Sequence, residues 1–169
     1  KLGTGCYKRH SISSLSLLIP IKTMEYVPTL LKNEAAKKRL VTVEFPVIEQ
    51  YNKDRDDIYK ITVQTTSDGL ALKYKLKPGH NVYELVTTLF AGYPLVPPET
   101  RVITSLDYPC PHLLPGQTLC LWKQGSSRKS SKWDPATFTV IFAVMAAWRW
   151  LACYEIWKQT SEWPLPEAK

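Results

Sequence analysis

Within residues 26–40 the apolar side chains Val27, Leu30, Leu31 and Ala35 recur at helical spacing, and Lys37, Lys38 and Arg39 close the segment where cations complement a helix dipole. This spacing predicts a first amphipathic helix. Four β-rich runs follow, at residues 40–51, 58–66, 70–76 and 82–90. They are separated by the charged segment 52–57, by Ser67-Asp68-Gly69 and by Lys77-Pro78-Gly79-His80. Such short polar connections favour an antiparallel meander.

The stretch Tyr93-Pro94-Leu95-Val96-Pro97-Pro98 excludes helix and fixes an extended crossing of the sheet edge before a short strand at residues 99–104. An irregular segment then runs from beyond Asp107 to Trp133 and carries Cys110, His112 and Cys120. A long loop inside a compact domain is more often functional than idle. Asp134-Pro135 predicts a helix start, because Asp caps free amides and Pro fits the first turn. Residues 136–157 are apolar on nearly every side at first and amphipathic after Arg149. Arg149, Thr137 and Thr139 favour a core helix packed on the sheet over a membrane span.

The 169 residues, 44% hydrophobic and 11% aromatic, suffice for one sizeable core. The net charge of +7 suggests nucleic acid at first. Residues 1–23 hold Lys1, Lys8, Arg9 and Lys22 with no acid, and without those four cations the surplus falls from +7 to +3. That is ordinary for a domain with no nucleic-acid partner. The serines at positions 11, 13, 14 and 16 break the apolar run after Lys8-Arg9, and no small-x-small cleavage pattern follows, which argues against export. Residues 1–23 are set apart as a leader or appended segment, with the domain expected over residues 24–169.

Cys6, Cys110, Cys120 and Cys153 are too irregular for a disulfide framework, and no Cys-x-x-Cys pair marks a zinc knuckle. Free thiols in a reducing cytoplasm are the simpler expectation. No Gly-x-x-x-x-Gly-Lys loop or dinucleotide fingerprint is present.

Helix, four-stranded meander, Tyr93-Pro94-Leu95-Val96-Pro97-Pro98, a loop with Leu119-Cys120-Leu121, then Trp133-Asp134-Pro135 leading into a long helix is an order that resembles the ubiquitin-conjugating enzyme fold over residues 26–163. The resemblance implies an α+β domain with an N-terminal helix, a four-stranded antiparallel meander, an active-site loop and a long C-terminal core helix. The closing run Tyr154-Glu155-Ile156-Trp157-Lys158-Gln159-Thr160-Ser161-Glu162-Trp163-Pro164 is similar to the C-terminus of the bacterial branch of that family. Its members occur in antiphage operons, notably the cyclic-oligonucleotide systems called CBASS, and in other ubiquitin-like operons.

By that resemblance, Cys120 is the nucleophile that accepts the activated C-terminus of a partner protein as a thioester and passes it to an amine. The partner is expected to be the nucleotidyltransferase that makes the cyclic-nucleotide signal, or a ubiquitin-like protein. The step implies no cofactor, activation with ATP belonging to a separate activating enzyme. In the eukaryotic family a His-Pro-Asn tripeptide starts ten residues before the nucleophile. Cys110-Pro111-His112 stands there in this chain, so His112 takes the oxyanion position, where an imidazole N–H can donate the hydrogen bond. Lys123, Arg128, Lys129 and Lys132 lie just beyond the nucleophile, a field that favours a thiolate and attracts an acidic partner surface. Tyr93 and Trp133 are expected to pack the loop against the sheet. Trp148, Trp150, Trp157 and Trp163 cannot all face one core, which leaves one or two for a partner surface. The alternative is an adaptor of the same fold in which Cys120 is inert or forms a regulatory disulfide, and the bland reading of Cys120, flanked by Leu119 and Leu121, is a buried thiol.

Overall fold

The computed structural model describes residues 27–122 and 133–165. Pro28 starts a single helical turn, α1 (Thr29–Lys32), and Asn33 ends it. The Asn33 side chain then accepts a 3.1 Å hydrogen bond from the Ala36 amide, capping α2 (Glu34–Arg39).

The chain stays helical beyond Arg39, where the sequence suggests a strand. Residues 40–51 are not the first strand of the meander. Leu40–Glu44 form a π-turn in which the Phe45 amide donates to the Leu40 carbonyl, and α3 (Phe45–Asn52) continues from it. Pro46 explains the wider turn, since it has no amide to pair and its ring crowds the preceding turn of an α-helix. Ala36, Leu40, Glu44 and Ile48, four residues apart, are the buried face. Val41 and Phe45 are exposed, as are Val27 and Ala35 of the apolar set expected for the first helix.

The sheet has six strands: β1 (Thr62–Thr65), β2 (Leu70–Leu76), β3 (Tyr83–Leu89), β4 (Glu99–Val102), β5 (Leu113–Leu114) and β6 (Thr118–Leu119), in the order β1-β2-β3-β4-β6-β5. All pairings are antiparallel. The β2–β3 register sets Leu72 opposite Thr87 and Tyr74 opposite Leu85, so alternate residues of both strands face one core. Thr87 is tolerated there because its hydroxyl bonds Tyr74 at 2.7 Å and Thr100 at 2.8 Å.

Asp134 caps only an isolated turn, its carboxylate accepting from the Ala136 amide and the Thr137 hydroxyl. The long helix α4 (Val140–Thr160) begins one turn later than the sequence suggests. Its first amide, that of Val140, donates 2.9 Å to Oε2 of Glu44. A carboxylate from another helix thus meets the positive end of α4. Glu44 is fully buried and also accepts from Arg39 Nε at 2.8 Å and Tyr93 Oη at 2.5 Å. Arg39 ties the preceding turn down through the carbonyls of Pro135 and Phe138. By length and composition α4 is apolar enough to cross a membrane. In the fold Val140, Val144, Ala147 and Leu151 are buried in the same core as β2 and β3.

Candidate functional site

The hairpin β5–β6 turns at Pro115-Gly116-Gln117, where Gly116 and Gln117 both take positive φ. Strand β6 pairs with β4 through Arg101 and Thr118, which fixes the hairpin to the sheet. Cys120 follows β6 immediately. The Leu121 amide donates 3.0 Å to the Leu119 carbonyl, a three-residue turn with Cys120 at its apex. Leu119 is buried below and Cys120 is exposed.

The segment before the hairpin is pinned to α4 and to the hairpin itself. Gln117 Oε1 accepts from the Leu106 amide at 2.7 Å, Tyr154 Oη accepts from the Asp107 amide at 2.8 Å, and the Asp107 carboxylate pairs with Lys158 at 2.7 Å. The Cys120 amide donates 3.0 Å to the carbonyl of His112, and the Trp150 indole N–H donates to the same carbonyl at 3.2 Å. The structure therefore brings the backbones of Cys120 and His112 together. His112 has φ 58°, in the left-handed region. A non-glycine residue there costs about 1 kcal/mol, and His is among the types found there more often than most.

Helix α4 ends at Ser161, also left-handed at φ 60°, whose amide donates to Trp157 at 2.7 Å. The reversal carries Trp163 back, with ring centroids 5.1 Å from the His112 imidazole and 5.3 Å from the Trp150 indole. Of the four late tryptophans Trp150 is buried, Trp157 and Trp163 pack on the core, and Trp148 is exposed.

The other two cysteines within the described residues are buried. Burial, with Asp107 nearby, pushes the Cys110 thiol up to about 11. Its Sγ lies 3.4 Å from the Pro111 carbonyl. Cys153 is raised by burial too, against an opposing effect of Arg149. Lys123, Arg128, Lys129 and Lys132 lie outside the described residues, as do residues 1–23. Among the described residues no group of three or more His, Cys, Asp or Glu side chains is placed to hold a metal ion.

A groove of about 500 Å³ lies beside Cys120, with Leu95, Val96, Leu114, Leu121 and Trp122 among its lining residues. Its walls are held by two indoles that donate into the proline-dense stretch, Trp122 to the Pro98 carbonyl at 3.1 Å and Trp133 to the Pro94 carbonyl at 2.7 Å. Tyr93 and Trp133 are both buried, with ring centroids 6.1 Å apart, as packing residues of the loop. Glu44, Trp150 and Trp163 are the contributors that sequence reasoning missed. Only the late tryptophans had left a signal, their excess over what one core can take.

An exposed thiol at the apex of a tight turn, beside an apolar groove, can take an acyl group from an extended segment that enters the groove. None of the curated proteins matches the chain. A profile of the family described as type II CBASS E2 proteins matches residues 45–169, which include the sheet, the hairpin and α4. With most of its length covered by that match, this chain belongs to the type II CBASS E2 protein family.

Proposed function

We propose that the protein is a conjugating enzyme of antiviral defence in which Cys120 carries the C-terminus of a partner protein as a thioester and transfers it to an amine. In CBASS that partner is the cyclic-oligonucleotide synthase. The Cys120 thiolate attacks the activated carbonyl carbon and the activating group departs. The acceptor amine next attacks the thioester carbonyl, the C–S bond breaks, and the thiolate is regenerated while the amine proton passes to water or a base. His112 assists by donating an imidazole N–H to the oxyanion of the tetrahedral intermediate. Lys123, Arg128, Lys129 and Lys132 attract an acidic face of the partner. Activation with ATP belongs to a separate protein, and the reaction runs in the cytoplasm.

The observation that supports this reading is the division among the described cysteines: Cys120 is exposed beside an apolar groove, and Cys110 and Cys153 are buried. The test is intact mass spectrometry after co-expression with the genomic neighbours, with and without reductant. The expected result is an adduct of a neighbour's mass less one water, cleaved by reductant and by alkali, absent in Cys120→Ala and present in Cys110→Ala. A tight complex with no adduct that survives Cys120→Ala would instead make the protein an inert adaptor.

A further inference from the structure

His112 is left-handed, and its position is over-determined by contacts from α4 and the segment behind it. Its carbonyl accepts from the Cys120 amide and from the Trp150 indole. Its ring packs on Trp163, which packs in turn on Trp150. Trp163 follows a reversal at left-handed Ser161, where Thr160 Oγ1 accepts from the amide of Glu162 and donates to its carbonyl. Two positions in unfavourable backbone conformations are therefore joined through one pair of indoles, an arrangement that fixes a side chain more tightly than a loop alone can.

We propose that Trp150 and Trp163 are positioning residues for the transfer step. Trp150 holds the His112 backbone against the Cys120 turn, and Trp163 fixes the plane and reach of the imidazole. The inference rests on the reading of His112 as the group that assists transfer. Neither tryptophan touches the reacting atoms. Each acts through His112, whose hydrogen bond is read as serving the oxyanion formed when the amine attacks the thioester, so their loss slows discharge of the Cys120 adduct and spares its formation.

Two measurements test this on the full chain. The first is the imidazole carbon-bound proton spectrum, in which the His112 signal is assigned by its loss in His112→Asn. A ring 5.1 Å away shifts that signal, and Trp163→Ala should move it towards the free-histidine position while Trp163→Phe restores most of the shift. The second is single-turnover discharge of the adduct to an amine. Trp163→Ala and Trp150→Phe should each slow discharge by roughly fivefold or more, with formation unchanged, and Trp163→Ala should add little to His112→Ala because the two act as one unit. Trp150→Phe keeps an aromatic ring in the core while removing the indole N–H together with part of the bicyclic ring, so it remains informative if Trp163→Ala does not fold. Wild-type discharge in both variants, or losses that multiply with that of His112→Ala, overturn the positioning role while leaving the thioester intact. A wild type that forms no adduct fails earlier, at the conjugation reading itself, and is told apart by that.

Discussion

Cys110 and Cys120 stand ten residues apart and face opposite conditions. Cys110 is 8% exposed, and burial pushes its thiol up to about 11, whereas Cys120 sits at an exposed turn. Each unit of thiol pKa lowers the thiolate fraction at neutral pH about tenfold, so Cys110 carries roughly a hundredfold less thiolate than a thiol at the usual 9. Iodoacetamide at pH 7.5, read by peptide mapping in a Cys6→Ser background, is expected to label Cys120 first and Cys110 and Cys153 only slowly. Equal labelling of Cys110 in the folded protein would contradict this burial. The ten-residue spacing between Cys110-Pro111-His112 and Cys120 is plain in the sequence, and the structure brings the His112 carbonyl to the Cys120 amide. The exposure of Cys120 is not legible there, because Leu119 and Leu121 flank it and only the reversal between them turns the thiol outward.

Helices and strands separated at the one element, among the described residues, whose buried face includes a charge. The β-rich run at residues 70–76 forms strand β2, and from Leu72 to Leu76 buried and exposed residues alternate with period two, Leu70 and Ala71 before them both being buried. Residues 40–51 carry Val41, Val43, Phe45, Val47 and Ile48 and read as a strand, yet the buried positions follow helical spacing through Glu44. A glutamate in that stripe hides it from any count of apolar residues. Its reason lies 96 residues away, at the Val140 amide, as does the reason α4 starts after Asp134 rather than at it. Glu44→Gln breaks the ion pair between buried Glu44 and half-buried Arg39 and is expected to cost about 3 kcal/mol. Tyr93→Phe removes one hydrogen bond to that carboxylate and should cost about 1–2 kcal/mol. Urea unfolding of the single and double variants checks both values. The double should cost less than the sum, since the two share one carboxylate; strict additivity would mean that the bonds are independent.

Across the whole molecule several buried acids of neutral type bias stability in one direction of pH. Burial raises Cys110 to about 11 and raises Tyr74, Tyr83 and Tyr93 above the ordinary phenol range, Glu44 adding to the rise at Tyr93. In the unfolded chain the thiol loses its proton near 9 and the phenols near 10, while the folded protein still binds them. Where the folded state holds more protons, stability falls as pH rises. The contribution of Cys110 is therefore complete below pH 9 and disappears between 9 and about 11, a loss on the order of 2 kcal/mol, and the tyrosines extend the fall to higher pH. Urea midpoints taken from pH 7 to 11 should be level and then drop. Cys110→Ala leaves a small cavity and so lowers the whole curve, which makes its slope the quantity to compare. The slope between pH 9 and 11 should be shallower in Cys110→Ala than in the wild type, and parallel curves would show that the Cys110 thiol titrates alike in the folded and unfolded chain. The same burial that raises the Cys110 thiol withdraws it from solvent at neutral pH, leaving Cys120 as the exposed thiol of the loop.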